Sequence, residues 1–269
     1  VRMHDAIEEA REKIAWVIDA QPEEIFFTSG GSESDNWVIK SVAGEKKNSG
    51  KHLITTRIEH HAVLRSCQYL ESLGYEVTYL DVDDYGLVSA EEVVHALRED
   101  TTLVSVMTGN NEIGTLEPIA DIGAQLRARG IAFHTDAVQA VGRNPLSMMR
   151  LPVDYLSASA HKFHGPKGVG FLYVRRNQDL SSFIHGGSQE RGKRAGTENV
   201  AGIVGMAQAL VIAAQEMPYT RGKLTRLRNY FVERVRHEIP NIRLNGHPYK
   251  RLPGNVNFSI EGIDATALL

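Results

Sequence analysis

Lys162 lies in a setting that suits a reactive amine. It follows the small-residue run SASAH and precedes a Gly-Pro-Lys-Gly turn. Small neighbours leave room for a bulky molecule beside the lysine, and a partly desolvated amine is a usable nucleophile. Ser159 and His161 flank Lys162 and could donate hydrogen bonds to an anion. Lys167 lies in the turn itself, and we expect it to point to solvent.

A carboxylate stands at the end of another strand-like run. The segment AFHTD ends at Asp136, and Gln139 follows three residues later. A carboxylate in this position could hold a cationic ring nitrogen, or it could cap the next helix. Lys162 follows Asp136 by about one helix–strand crossover. The two side chains could therefore end neighbouring strands at the same edge of a sheet.

The segment FTSGGSESDN, at 27–36, has the pattern of an anion-binding turn. Two glycines follow a strand-like run, Ser32 stands where a helix N-cap is expected, and Asp35 completes something close to a capping box. Free N–H groups at a helix start bind phosphate, although an ordinary strand–turn–helix cap has the same pattern. Jointly, the three segments supply a phosphate cradle, an acid and an amine, which are the parts of a pyridoxal phosphate site.

Short β-rich runs alternate with helical patterns and must position these residues. Strands are predicted at 25–28, 52–56, 77–82, 102–107, 132–136, 153–159 and 170–174, and helices at 34–44, 61–73, 89–98 and 118–129. Val63, Cys67, Leu70 and Leu73 should form the buried face of one helix. The alternation predicts an α/β fold with a mostly parallel sheet, which binds ligands at the carboxyl ends of its strands.

The C-terminal part of the sequence predicts a second, smaller unit. Helical patterns at 199–215 and 218–238 precede a strand within 251–260. We therefore expect a large domain at 1–215 and the beginning of a small domain at 216–269. Val1 stands inside a helical pattern, and IDATALL at 263–269 begins an apolar pattern without a stop signal. Both ends are therefore expected to belong to a longer protein.

Composition excludes several classes of protein. The 269 residues are 42% hydrophobic, enough for a large core. A net charge of −3 argues against a nucleic-acid or membrane-surface partner. No unbroken run of 18 apolar residues exists, so no membrane span is expected. The single cysteine, Cys67, rules out an internal disulfide and a multi-cysteine zinc site, which fits a reducing compartment such as the cytoplasm.

Six segments together resemble one enzyme family. TSGGSESDN, EHHAVL, GNNEIG, HTDAVQAVG, SAHKFHGPKGVGFLYVR and HGGSQERGKRAGTENV occur in the order and spacing of the cysteine desulfurases. These are fold-type I pyridoxal phosphate enzymes of the nitrogen-fixation and iron–sulfur-cluster type, within the class V aminotransferases. The resemblance runs from Asp19 to Leu269. It implies a seven-stranded, mostly parallel sheet flanked by helices, plus part of a smaller α/β domain.

The resemblance also implies roles for residues around the cofactor ring. Lys162 resembles the lysine that holds the cofactor, and Asp136 resembles the partner of the pyridinium nitrogen. Gln139 resembles the donor to the ring hydroxyl. His60, in EHHAVL, resembles the residue stacked on the ring, although a polar helix start would explain it equally. Catalytic roles are thus implied for Lys162, His60 and Asp136, and no metal is expected.

Other residues resemble the family's phosphate and substrate ligands. The implied phosphate binders within the chain are Gly31, Ser32, Ser159 and His161. Asn111, in GNNEIG, resembles the residue that contacts a substrate or cofactor oxygen, although a turn asparagine would look the same. Thr197 resembles a phosphate ligand supplied to the neighbouring subunit, which implies a homodimer. Thr197 could also be the N-cap of a helix beginning at Glu198, and both roles can hold.

The implied activity is removal of sulfur from L-cysteine, giving L-alanine and an enzyme persulfide for iron–sulfur cluster scaffolds or other acceptor proteins. The family's nucleophilic cysteine follows the strand that resembles NVNFSI and is expected beyond Leu269; Cys67 is expected in the core. Two alternatives stay open. One is another pyridoxal phosphate lyase or aminotransferase-like enzyme, for example acting on selenocysteine. The other is an inactive fragment that binds partners or cofactor without turnover.

Overall fold

A seven-stranded sheet forms the centre of the fold. The computed structural model describes residues 2–178, 180–264 and 266. The strands are β1 (Ile25–Thr28), β2 (His52–Thr56), β3 (Glu76–Leu80), β4 (Thr101–Ser105), β5 (Ala132–Asp136), β6 (Tyr155–Ser159) and β7 (Gly170–Val174). Their spatial order is β1-β7-β6-β5-β4-β2-β3, and only β7 runs against its neighbours. The predicted mostly parallel seven-stranded sheet is therefore confirmed.

Helices cover both faces of the sheet. They are α1 (Arg2–Ile18), α2 (Gly31–Glu45), α3 (His61–Glu71), α4 (Ala90–His95), α5 (Ile119–Arg127) and α6 (Val200–Glu238). On one face, α2 and α3 pack around the fully buried Trp37. On the other face, α1, α4, α5 and α6 contribute to the larger core cluster. Strands covered on both faces read as unbroken apolar runs, which is why the sequence located them well.

The predicted buried face of α3 is correct except at its end. Val63, Cys67 and Leu70 are buried, whereas Leu73 is 52% exposed. The helix ends at Glu71, so Leu73 lies beyond the last helical turn. The helical period therefore does not apply to Leu73, and its predicted burial is wrong.

The two helices predicted at 199–215 and 218–238 are one continuous helix. Pro218 lies inside α6, where the chain is exposed and water can satisfy the freed carbonyl. The predicted domain boundary at 215/216 falls within this helix and stays a prediction. Beyond α6, β8 (Ile242–Leu244) and β9 (Phe258–Ile260) form a separate antiparallel pair. The apolar pattern predicted at 263–269 lies mostly outside the described residues.

The N-terminal half of α6 is apolar as well as long. Among the described residues, α6 is the one helix that could cross a membrane by length and composition alone, although the sequence has no unbroken apolar run. In the fold, the qualifying stretch is 28% buried, and Ile203, Met206 and Leu210 lie in the larger core cluster. One such helix is weak evidence for a membrane span.

The carboxyl ends of the parallel strands meet at one edge, where β7 begins. The turn after β1 packs directly on that beginning, because a Cβ added at Gly170 would lie 2.7 Å from Gly30 Cα. Gly30 has φ +148, a conformation that favours glycine. Glycines at both positions thus allow the turn after β1 to lie beside the end of β6.

Candidate active site

Nine of the ten predicted site residues line one cavity at this edge. The cavity has a volume of about 200 Å³. Its lining residues are Gly31, Ser32, Asp35, His60, Met107, Gly109, Asn111, Asp136, Val138, Gln139, Ser159, His161 and Lys162. They come from the loops after β1, β2, β4, β5 and β6, so the sheet edge brings them together. Thr197 is the exception.

The turn after β1 positions the first turn of α2 so that it faces this cavity. The N-cap of α2 is Gly30, so the prediction that Ser32 is the N-cap is wrong. The positive φ of Gly30 starts the helix two residues earlier than a serine cap would. A Cβ at Gly31 would lie 2.6 Å from Val138 Cγ2, so glycine is required for this close approach. The first N–H groups of α2, which lack intrahelical partners, are suited to bind an anion.

Glu33 fixes this turn in place of a capping side chain. Its Oε2 accepts a hydrogen bond from Ser29 N at 2.8 Å. Its Oε1 accepts one from Arg194 Nε, also at 2.8 Å. The adjacent Arg194 keeps the pKa of Glu33 below its ordinary value despite burial. A carboxylate beside an anion-binding turn would repel the anion, and the Arg194 guanidinium compensates for that charge.

Lys162 lies immediately after β6, on a short 3-10 helix at Ala160–Phe163. The residue is half-buried, and its carbonyl accepts a hydrogen bond from Arg143 Nε at 3.0 Å. Ser159 Oγ and His161 Nδ1 are 2.9 Å apart. Partial desolvation and the two nearby lysines lower the pKa of His161. Lys167 is exposed, as predicted, and lines a shallower depression beside the turn after β1.

Asp136 is a buried carboxylate at the end of β5. Its Oδ1 accepts a hydrogen bond from Val138 N at 2.9 Å, which closes a local turn. No helix begins within residues 137–150, all of which the structure describes, so the helix-capping alternative for Asp136 is wrong. Burial raises the pKa of Asp136, and the hydrogen bond from Val138 N and the positive charge of Lys162 oppose that shift.

His60 both caps a helix and lines the cavity. It is the N-cap of α3, and its Nδ1 accepts a hydrogen bond from Ala62 N at 3.1 Å. The alternative role of His60, as a polar residue at a helix start, is therefore correct, and His60 lines the cavity as well. A ring nitrogen of His60 and one oxygen each of Asp35 and Asp136 all lie within 4.8 Å of one another. The exposed imidazole therefore stands over two buried carboxyl groups.

The loop after β4 separates two asparagine roles. Asn110 is buried, and its Oδ1 accepts hydrogen bonds from the backbone N–H groups of Glu112 and Ile113. Asn110 is therefore the turn asparagine of this segment. Asn111 is exposed, lines the cavity, and donates from Nδ2 to Glu112 Oε1 at 2.9 Å. Asn111 remains available to contact a bound molecule.

Asp35 and His134 are site residues that the sequence analysis did not assign. Asp35 is 1% exposed, lines the cavity, and its Oδ1 has no hydrogen-bond partner among the described residues. That oxygen lies 3.6 Å from Nε2 of the fully buried His134. The sequence carried one usable signal, because Asp35 follows Gly31 by four residues and therefore shares its face of α2.

Thr197 lies in a separate depression, on the loop that precedes α6. It is exposed and does not cap the helix: α6 begins at Val200, and Asn199 is its N-cap, with Oδ1 accepting from Gly202 N. The N-cap alternative for Thr197 is therefore wrong. Deeper in the same loop, Glu190 accepts two hydrogen bonds from Arg11, both at 2.9 Å. This buried ion pair anchors the loop on α1.

The surroundings of Cys67 do not activate its thiol as a nucleophile. It is 1% exposed on the buried face of α3, as predicted. Burial raises the pKa of its thiol to about 12, so the thiolate is not formed at neutral pH. The only cysteine of this sequence is therefore a core residue.

Comparisons with known proteins identify the family of this chain. The aminotransferase class-V family model matches residues 1–269. A cysteine desulfurase IscS from Dictyoglomus turgidum is 53% identical over 98% of this chain and 67% of that protein. A solved NifS-like protein superposes with a TM-score of 0.96 at 42% identity, over 99% of this chain and 73% of that one. The structure titled "SspA in complex with cysteine" gives a TM-score of 0.86 at 40% identity, covering 97% and 73%. The chain thus belongs to the class-V aminotransferases, and within them to the pyridoxal phosphate-dependent cysteine desulfurases of the IscS and NifS-like type.

Proposed function

We propose that this chain carries the cofactor-binding part of an enzyme that removes sulfur from L-cysteine, giving L-alanine and an enzyme persulfide. The observation that carries the proposal is the meeting of Lys162, Asp136 and the open first turn of α2 in one cavity. The 53% identity to a cysteine desulfurase supports it further.

The residues present fit pyridoxal phosphate. Gly31 and Asp35 both line the cavity, and Asp35 Oδ1 is buried there with no hydrogen-bond partner among the described residues. When bound, the cofactor supplies an aldehyde and an electron-accepting ring. Lys162 is the amine that would hold the aldehyde carbon. The first turn of α2, with Ser159 and His161, would hold the phosphate.

Asp136 would bind the ring nitrogen. A buried carboxylate whose charge has little solvation gains most from a cationic N–H partner, which favours a protonated ring. Gln139, half-buried on the same loop, would donate to the ring hydroxyl. His60 would cover the ring from the side of α3. Together these side chains would orient the ring and exclude water from it.

Two side chains would move protons in this proposal. Lys162 Nζ, once released, would accept the proton from the substrate α-carbon and return a proton to the product. The free nitrogen of His60 would assist at the substrate sulfur, because His60 Nδ1 is already occupied by Ala62 N. Asn111 would contact a substrate oxygen. The buried thiol of Cys67 does not accept sulfur in this scheme, so another cysteine must.

The proposal extends to assembly and location. We place Thr197 in the site of a second copy of the chain, because it is exposed and lies away from its own protomer's cavity. The sulfur then passes to an acceptor or scaffold protein for iron–sulfur clusters. A cytoplasmic location fits a chain with one buried, unpaired cysteine.

Borohydride reduction of the chain with pyridoxal phosphate tests the cofactor site. After peptide mass mapping, we expect a pyridoxyl adduct confined to Lys162. The Lys162→Ala variant should lose this adduct, whereas Lys167→Ala, at an exposed lysine five residues later in the chain, should keep it. Adducts scattered over surface lysines, with none at Lys162, would exclude the assigned cavity.

Substrate competition tests the reaction. In the presence of a cysteine thiol that can accept the sulfur, the protein should form alanine from L-cysteine, and the Lys162→Ala variant should not. Preference for L-selenocysteine by a large factor in kcat/KM would favour the selenocysteine alternative. Alanine formed without persulfide would indicate a different lyase.

A further inference from the structure

Two carboxyl groups lie side by side beneath the cofactor cavity. Asp35, on α2, is 1% exposed, and Asp136, at the end of β5, is 6% exposed. Oxygens of the two groups are within 4.8 Å of each other. Two carboxylates this close and removed from water cannot both be ionised at low cost, so the pair retains a proton.

The surroundings of Asp35 offer no compensation for a negative charge. The described groups that face it are Asp136, Glu59, His60, His134 and Ser157. Two of these are carboxyl groups, and both raise the pKa of Asp35 in addition to its burial. Ser157 opposes the shift through a hydrogen bond. His60 Nδ1 is occupied as the acceptor from Ala62 N, and an imidazole ring with an accepting nitrogen carries no positive charge. None of these groups therefore supplies a positive charge.

His134 does not supply that charge either. The ring is fully buried, and burial lowers its pKa to about 3. Its Nδ1 lies 2.8 Å from Ser105 Oγ, and its Nε2 lies 3.0 Å from Ser157 Oγ. A neutral imidazole held by two hydroxyl groups therefore faces Asp35, and the 3.6 Å contact is not an ion pair.

Asp136 has the stabilising partners that Asp35 lacks. Its Oδ1 accepts the hydrogen bond from Val138 N. The positive charge of Lys162 also favours its ionised form. The pair is thus asymmetric: negative charge is better supported on Asp136, and the proton is better placed on Asp35.

We propose that Asp35 is a neutral carboxylic acid that holds the proton of this pair, so that the single negative charge stays on Asp136 and faces the ring nitrogen. Asp35 is a positioning residue, since it acts through Asp136. The assignment to a ring nitrogen rests on the proposed function. The location of the proton does not, because it follows from the protein groups alone.

Infrared difference spectroscopy of the cofactor-free chain near pH 7 locates the proton. Asp35→Asn should remove the C=O stretching band of one protonated carboxylic acid. Asp84→Asn, at an exposed aspartate, should leave that band intact. Because Glu59 also retains a proton, with a pKa raised to about 8, the comparison is repeated with Glu59→Gln in both chains. Loss of the band in Asp136→Asn but not in Asp35→Asn would overturn the proposal, as would no loss in either.

The protonation state of Asp35 can also be measured in the unsubstituted chain, so that the test does not depend on whether the variants fold. The ¹³Cγ chemical shift of Asp35, followed from acid to neutral pH, should stay at the value of a protonated carboxyl group. A shift to the ionised value below neutral pH would overturn the proposal even if Asp35→Asn did not fold.

The effect on the cofactor is tested with ¹⁵N-labelled pyridoxal phosphate. Asparagine resembles a neutral acid in shape and charge, so Asp35→Asn should keep the pyridinium ¹⁵N shift and change the Kd by less than about threefold. Asp136→Asn should lose the pyridinium shift and weaken binding by about tenfold or more. If Asp35→Asn also lost the pyridinium shift, Asp35 would be the charged member. If neither variant altered the pyridinium ¹⁵N shift while borohydride reduction still gave the pyridoxyl adduct at Lys162, the proposed cofactor site would be supported and the proposed role of the acid pair would be refuted.

Discussion

Replacing Glu190 with alanine should destabilise the chain strongly although Glu190 lies outside the cavity. The Arg11 and Glu190 side chains are each 4% exposed. Glu190 accepts two hydrogen bonds from Arg11 and a third from Phe27 N. It does so with a backbone φ of +44, and Arg191 follows at +57, both costly for residues other than glycine. The ion pair therefore stabilises a strained loop as well as joining it to α1.

The magnitude follows from what Arg11 retains. Removing one member of a buried ion pair costs about 3–5 kcal/mol, since the other charge is left without compensation. Arg11 would keep its hydrogen bond to Ile25 O at 2.7 Å and its contact with the half-exposed Glu8. We therefore expect a loss at the lower end, about 3 kcal/mol, which corresponds to a fall in Tm of roughly 6–12 °C.

Denaturant and thermal unfolding of matched variants would measure this loss. Glu238→Ala is the control, because its pair with Arg234 lies on the surface, with side chains 52% and 55% exposed. Such a pair contributes less than about 1 kcal/mol. Glu190→Gln keeps the shape of the side chain and should fall between the two. Equal midpoint shifts for Glu190→Ala and Glu238→Ala would refute the reasoning, since burial would then have no effect.

Two further predictions concern the cavity and the pH dependence of stability. Gly31→Ala should weaken pyridoxal phosphate binding about tenfold or more in a fluorescence titration, because its Cβ would lie 2.6 Å from Val138 Cγ2. Adding Val138→Ala should recover part of the affinity, and no effect of Gly31→Ala would contradict the close approach. Burial raises the pKa of Glu117 from 4.5 to about 8, so the folded chain keeps a proton that the unfolded chain loses. The free energy of unfolding should therefore fall as the pH rises from about 4.5 to about 8, by up to about 1.4 kcal/mol per pH unit. If the dependence of this free energy on pH were unchanged in Glu117→Gln, Glu117 would be excluded as its source.

The sheet could be predicted because all of its seven strands except the edge strand β3 are buried on both faces. Runs such as IFFT and GFLYV are continuous and end at polar residues or glycine, and the structure places β1 and β7 there. Helix ends were less predictable. The start of α2 depends on the φ of Gly30, and the continuity of α6 through Pro218 depends on solvent exposure there. Neither quantity can be read from residue types.

Because packing cannot be read from residue types, the sequence predicted only some of the residues that line the cavity. Lys162, Asp136 and His60 follow strands or begin helices at the sheet edge, so the topology brings them together. Asp35 was taken for part of a helix cap because the helix start was placed at Ser32. Its burial, its unpaired oxygen and its proximity to Asp136 arise from packing α2 against β5, which local sequence does not encode.

The position of β7 between β6 and β1 has a consequence for the order of folding. Ile25 pairs with Tyr173, so the turn after β1 has no fixed support until the chain has been made nearly to the end of the sheet. Contacts between such distant segments require loop closure first and form late. During synthesis on the ribosome, the proposed phosphate-binding turn after β1 is therefore incomplete until β7 has emerged. Pyridoxal phosphate can stabilise the finished sheet, but it cannot serve as a template for building it.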